Sequence, residues 1–509
     1  MALKFIKKTI AAIEDTRIPL VYYFISFVCW VAIRQFIELF SDHSRLRFEL
    51  LPCAYYDYYT AFWTQILSHC HHSLCWLQNF LAGAIILALG TRENIRKVLR
   101  VTLFSVFAIV LTPIIDLIAS YGKGLNVHYP YPKSFSDFFP IPRDFTIGMA
   151  ATAAAIMSIT FAYALIKTRN IFKSAVIILG LYASAALSFL LPFLLRPVMP
   201  LMATRAFMVF LAVEIVILVR LWDKNLFRAL RRDIRITRAA HYQLMFLLGI
   251  AISSNGLISS IAGEWLSFLL MLIVIFFSWI GAVMVNNIAD VKIDRITSPG
   301  RPLVTGAVAL TTYSLLGWSC LGLAALCAFM VSPAIAFLTI TGIGISVIYS
   351  LPPFRFKRIP LFSKTMIAAA SLLMVVTGYV FAGMPLLEFP RILIWYFLIF
   401  AALALNFIDL KDIEGDKAAG ILTIPVVFGE KKAKIIIGLF FIAAYLAAGI
   451  IVAAKLNLHS ILAVILIAAG IGLKQFFFLN DKKGYKENRV LLTYLASLIL
   501  FLFIFTLRR

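Results

Sequence analysis

Fifteen apolar runs, each long enough to cross a hydrocarbon core of about 30 Å, constrain this chain more than any other feature. Six lie near 19–40, 75–91, 100–120, 146–167, 172–195 and 199–222. Nine more lie near 241–258, 265–286, 309–331, 334–351, 365–383, 391–408, 433–453, 459–479 and 489–507. Segments of this kind satisfy their backbone polar groups internally as helices, so an all-α, polytopic membrane fold is expected. Apolar residues make up 62% and charged residues 14%, against about 25% charged in ordinary soluble domains, which excludes a soluble fold. The window 55–90 is too long for one crossing, and its first half reads as interfacial or re-entrant. The basic linker Asp223 to Arg238 separates a six-helix part, 1–224, from a nine-helix part, 225–509.

A net charge of +23 raises the question of nucleic acid, but the Lys and Arg fall in alternate loops rather than in one patch. That alternation is the positive-inside pattern. It places the N-terminus, with Lys4, Lys7 and Lys8, in the cytoplasm and makes a multi-pass cell-membrane protein the expectation. The first apolar run ends in Phe40-Ser41-Asp42-His43 rather than a small-residue cleavage site, so no cleaved signal peptide is expected. Six Cys, three of them inside apolar runs, give no disulfide framework.

Two acidic stretches break the apolar pattern at equivalent positions. In Asn286 to Gly306, Asn286, Asp290 and Asp294 recur at spacing four, which aligns them along one stripe of a helix. In Asn406 to Gly429, Asp412 and Asp416 repeat the spacing, with Asp409 and Glu414 nearby. Five of the chain's 14 Asp fall in these two windows, which is poorly explained as a solvated helix end. Hard oxygen donors so arranged suit Mg²⁺, which takes one or two carboxylates and completes its octahedron with water and phosphate oxygens. Two such ends facing each other make a receptor for a diphosphate.

These residues carry a resemblance. The region from about Phe227 to the C-terminus resembles the UbiA superfamily of intramembrane prenyltransferases. Asn286, Asp290 and Asp294 match its Asn-x-x-x-Asp-x-x-x-Asp motif, and Asp412 and Asp416 match its Asp-x-x-x-Asp. Tyr349-Ser350-Leu351-Pro352-Pro353-Phe354-Arg355-Phe356-Lys357 is similar to the Tyr-Ser-x-x-Pro-x-Arg-x-Lys loop, and Arg301-Pro302 followed by Gly306 to the Arg-Pro-x-x-x-Gly behind the first motif. The resemblance implies a UbiA-like bundle of nine helices and Mg²⁺-dependent transfer of a prenyl group from an isoprenoid diphosphate to a small-molecule acceptor. It implies Asp290, Asp294, Asp412 and Asp416 as metal ligands with Asn286 as a neutral ligand or supporting donor. Lys292, Arg295, Arg301, Arg355, Lys357 and Lys364 are then candidates for diphosphate oxygens, and Tyr349 and Ser350 for donors to diphosphate or acceptor. Basic loops are also what topology demands, so each cation carries that alternative reading.

Two other activities stay open: transfer of phosphoribose onto a polyprenyl phosphate within the same superfamily, and secondary transport. Transporters place charged groups near the midplane on broken helices, whereas these acids sit at helix ends. The first 224 residues resemble nothing recognised. Within them His69, Cys70, His71, His72 and Cys75 are dense in soft ligands but match no closed zinc pattern, and read as interface cover. Asp116 and Glu214 sit inside apolar runs and read as an internal ion pair with Arg196 and Arg205, while His241 reads as an interfacial anchor.

Overall fold

The computed structural model describes residues 2–41, 58–125, 145–194, 200–359, 362–418, 420–453, 458–481 and 486–507. Among these the regular elements are all helices, and they form two compact units, Met1–Phe227 and Arg228–Arg509. Among the described residues thirteen helices are long and apolar enough to cross a membrane, and fourteen when one bent pair is taken as a single span. The chain is therefore a multi-pass membrane protein. The run 199–222 is helical as well over Pro200–Trp222 and carries Arg205, Glu214 and Arg220.

The first unit holds α1 (Ala2–Ile13), α2 (Leu20–Ser41), α3 (Tyr58–Thr91), α4 (Ile95–Ser105), α5 (Leu111–Ala119), α6 (Ile147–Thr168), α7 (Ile171–Leu194) and α8 (Pro200–Trp222). Within the window 55–90 the described residues form one long helix, α3, in which Ser73–Thr91 is long and apolar enough to cross a membrane. The side chains of His69, Cys70, His71 and His72 lie outside the described residues, as does Arg196. Asp116, buried on α5, accepts hydrogen bonds from Thr146 Oγ1 at 2.6 Å and Gly148 N at 2.7 Å, so it caps the start of α6. Glu214 accepts from Gln78 Nε2 at 2.9 Å, and Gln78 Oε1 accepts in turn from Ser188 at 3.0 Å. Both carboxyls thus accept hydrogen bonds from uncharged donors, while the expected partner Arg196 lies outside the described residues.

The second unit begins within α9 (Lys224–Asp233) and continues through α10 (Ile236–Ile252), α11 (Leu257–Gly263), α12 (Trp265–Thr297), α13 (Leu310–Val331), α14 (Pro333–Ser350) and α15 (Phe362–Phe381). A span over Arg391–Lys411, here α16, is followed by the short α17 (Ile413–Ala418) and α18 (Ile424–Phe428), then α19 (Glu430–Ala453), α20 (Leu458–Leu479) and α21 (Glu487–Leu507). α10 and α11 meet at a 103° bend, where Gly256 adopts φ +79°. α10 and α15 touch backbone to backbone: a Cβ on Gly249 would lie 2.0 Å from Val375 O, and one on Gly378 2.0 Å from Phe246 O. Lipid gives no hydrophobic drive for helices to associate, so such small-residue contacts, which let dispersion act at short range, hold the bundle. Outside it, Phe337, Trp395, Phe477 and Phe503 are exposed, as suits side chains facing acyl chains.

Candidate active site

α12 is a continuous helix of 33 residues that runs three turns past its apolar run before Ser298-Pro299-Gly300 stops it. That overrun turns the spacing of Asn286, Asp290 and Asp294 into one face. Asn286 Nδ2 donates to Asp290 Oδ2 at 3.0 Å, and Asp294 is buried and ion-paired with Arg301. Arg301 also donates to Asn287 Oδ1 at 2.7 Å. Asn287 in turn donates to Tyr313 Oη at 2.9 Å, and Tyr313 donates to Asp233 at 2.5 Å. This chain of polar contacts fixes the loop after the first motif against α9 and α13.

The loop after α14 returns over the same face. Ser350 Oγ donates to Asn286 Oδ1 at 3.2 Å, and Lys357 Nζ reaches Asn286 Oδ1 at 2.9 Å and Asp290 Oδ1 at 2.6 Å. Arg355, held at φ +47°, donates to Ala289 O at 2.9 Å and Asp290 Oδ1 at 3.1 Å. Burial pulls Lys357 below the usual lysine range, an effect that Asp290 opposes.

The second stretch is less regular than the spacing suggests. α16 passes from an α turn into a π segment, Tyr396–Ala401, and then a 3-10 segment, Leu405–Lys411. The changes of winding re-aim the helix end, as single π turns do at many functional sites. Asp409 is buried and ion-paired with Lys364, whereas Asp412 and Asp416 have no ion-pair partner among the described residues. Burial raises the Asp412 carboxyl, and burial with the neighbouring Asp409 and Asp412 pushes Asp416 up to about 7. Gly415 brings this stretch to the first: a Cβ there would lie 2.3 Å from Thr297 Cγ2 at the end of α12.

Asn286, Asp290, Asp294, Arg301, Tyr349, Ser350, Lys357, Lys364, Asp412 and Asp416 all line one cavity of about 500 Å³ within the second unit. Its remaining wall is mostly apolar, with Met245, Leu248, Ile252, Val274, Ile343 and Phe397 among its residues. Lys292 and Arg295 are exposed and line none of it, because they lie 200° and 100° around α12 from Asp290 and Asp294. Arg355 acts on the site through Asp290 rather than as part of the wall.

The wall also holds groups whose spacing carries no signal. Glu487 on α21 pairs with Arg238 and, at 3.1 Å, with Lys411. Arg235 lines the same end, pushed down to about 10 chiefly by burial and then by Arg238 and Arg301. His241, expected as an interfacial anchor, lines the cavity wall. Its ring lies between Ser371 Oγ and Tyr494 Oη, each at 2.9 Å.

The donors fit a hard divalent cation. They are all oxygens, two of the carboxylates lack an ion-pair partner among the described residues, and no three or more His, Cys, Asp or Glu there are grouped so as to hold a metal ion by themselves. Mg²⁺ needs no such cage when phosphate oxygens complete its shell, whereas structural zinc does.

The model of the UbiA prenyltransferase family matches residues 244–505. The digeranylgeranylglyceryl phosphate synthase of Pyrococcus furiosus is 30% identical over 231 residues, covering 43% of this chain and 77% of that protein. The chloroplastic chlorophyll synthase of Arabidopsis thaliana is 28% identical over 211 residues, covering 40% of this chain and 54% of that protein. A UbiA homolog from Archaeoglobus fulgidus, whose structure is bound to GPP and Mg²⁺, superposes with TM-score 0.44 at 20% identity, over 54% of this chain and 98% of that one.

Proposed function

The chain belongs to the UbiA prenyltransferase family, and from that premise we propose that its second unit transfers a prenyl group from an isoprenoid diphosphate to a small-molecule acceptor with the help of Mg²⁺. The observation that carries this reading is the single cavity in which two acidic stretches and a set of cations share one end while the rest of the wall is apolar. The apolar wall takes the isoprenoid tail and excludes water from the carbon that becomes cationic when its C–O bond breaks. Lys357 and Arg301, already fixed at that end by Asn286, Asp290, Asn287 and Asp294, are placed to take diphosphate oxygens as negative charge grows on the leaving group. Lys364 stands at the same end with Asp409. Asp290, Asp294, Asp412 and Asp416 would hold the metal, with Asn286 supporting. Bound there, Mg²⁺ supplies Lewis-acid stabilisation of the departing diphosphate. Tyr349 and Ser350 line the same cavity, Ser350 on Asn286, and would serve as hydroxyl donors to diphosphate or acceptor.

The acidic end would face the cytoplasm, since the basic loops lie there. Impermeant thiol reagents applied to intact cells should leave a cysteine introduced at exposed Lys292 unlabelled, and labelling without lysis would reverse the orientation. The activity itself is tested by incubating the full chain in detergent with labelled prenyl diphosphates and an acceptor panel, with products read by mass spectrometry. Transfer that continues in excess EDTA would remove the metal from the scheme, and absence of any prenylated product across the panel would remove the scheme.

A further inference from the structure

The two acidic stretches differ in what holds them. Asp290 is hydrogen-bonded by Asn286, Lys357 and Arg355, and Asp294 by Arg301. Asp412 and Asp416 have no ion-pair partner among the described residues. A metal at the first stretch must therefore displace or compete with cations already seated on its carboxylates, whereas one at the second meets carboxylates on which no cation is seated, Lys411, Arg238 and Lys364 acting on them only from farther off. Diphosphate alters that balance by offering the displaced cations a second anion, since Lys357 and Arg301 line the cavity and can swing from carboxylate to phosphate oxygens without leaving it.

We propose, resting on the prenyl-transfer reading above, that the site loads in order: Asp412 and Asp416 take a divalent cation by themselves, while Asp290 and Asp294 take one only together with diphosphate, which relieves them of Lys357 and Arg301. The stored ion pairs keep the first stretch organised and its carboxylates compensated until substrate arrives. They also couple metal and substrate, because each bound species removes a cost that the other would meet. Nothing covalent changes in this step; the cations exchange one anionic partner for another.

Counting Mn²⁺ by electron paramagnetic resonance on the full chain in detergent tests this without turnover. The probes are Mn²⁺ alone and Mn²⁺ with dimethylallyl S-thiolodiphosphate, a donor whose C–S bond resists ionisation. The expected result is one tight Mn²⁺ alone and at least one more with the analogue. Asp412→Asn and Asp416→Asn should abolish the first. Asp290→Asn should leave the first within about twofold and remove the analogue-dependent one. Lys357→Met should strengthen the second Mn²⁺ without analogue by about tenfold, the effect of removing a competing charge at close range. A second tight Mn²⁺ in the unmodified chain without analogue, or loss of the first in Asp290→Asn, would overturn the ordering while leaving prenyl transfer standing. A monodisperse chain that binds no Mn²⁺ in either state would overturn both.

Discussion

Replacing Asp412 or Asp416 by Asn removes a carboxylate that no cation holds among the described residues, so little of the fold depends on it. Either change should cut diphosphate release by about 100-fold or more, the scale on which lost transition-state electrostatics act, while the chain stays monodisperse. Aggregation of both variants would assign these acids to folding instead. Their protonation gives a second readout. The Asp416 carboxyl is pushed up to about 7, so between its ordinary value of 3.8 and about 7 the folded chain binds more protons than the unfolded one. Stability without metal should therefore fall as pH rises through that window and level off above it. Added Mg²⁺, which needs the ionised form, should raise the unfolding temperature more at pH 8 than at pH 6. Asp416→Asn should flatten both trends, and an unchanged pH slope in that variant would show that the proton sits elsewhere.

At the scale of elements, the close seating of Gly415 on the end of α12 positions the second stretch beside the first. Gly415→Val should separate the two acidic ends and lower kcat at least tenfold, with loss of Mg²⁺ binding measured by titration calorimetry. Wild-type kinetics would mean that Thr297 yields and the contact positions nothing. What could be read from the amino-acid order follows the same division. Spacing four along α12 is a local property of one helix, so the shared face of Asn286, Asp290 and Asp294 was legible, as was the order of the loop through Tyr349, Arg355 and Lys357. The same helical arithmetic could have separated Lys292 and Arg295 from that face. Contacts made between distant helices leave no local pattern: Glu487 with Arg238 and Lys411, Tyr313 between Asp233 and Asn287, and His241 between Ser371 and Tyr494. The π turn in α16 was illegible too, because an apolar run reads alike whichever way it winds.

At the scale of the molecule, the separation into Met1–Phe227 and Arg228–Arg509, with every described residue that lines the cavity in the second unit, makes that unit the proposed catalytic body. Residues 224–509 behind a start Met should fold as a monodisperse particle and release diphosphate at a rate within about threefold of the full chain at saturating acceptor, since domains with their own cores often survive division at polar linkers. A folded truncation without transfer, rescued by the first unit in trans, would refute this. The apolar wall of the cavity has a further consequence for how rates are to be measured. A substrate whose tail matches that wall partitions into the bilayer, where encounters occur in two dimensions and abundance is counted per lipid molecule rather than per litre. Diluting such a substrate with inert lipid at constant bulk concentration should slow turnover in proportion to its mole fraction, so the enzyme's working saturation is set by membrane composition.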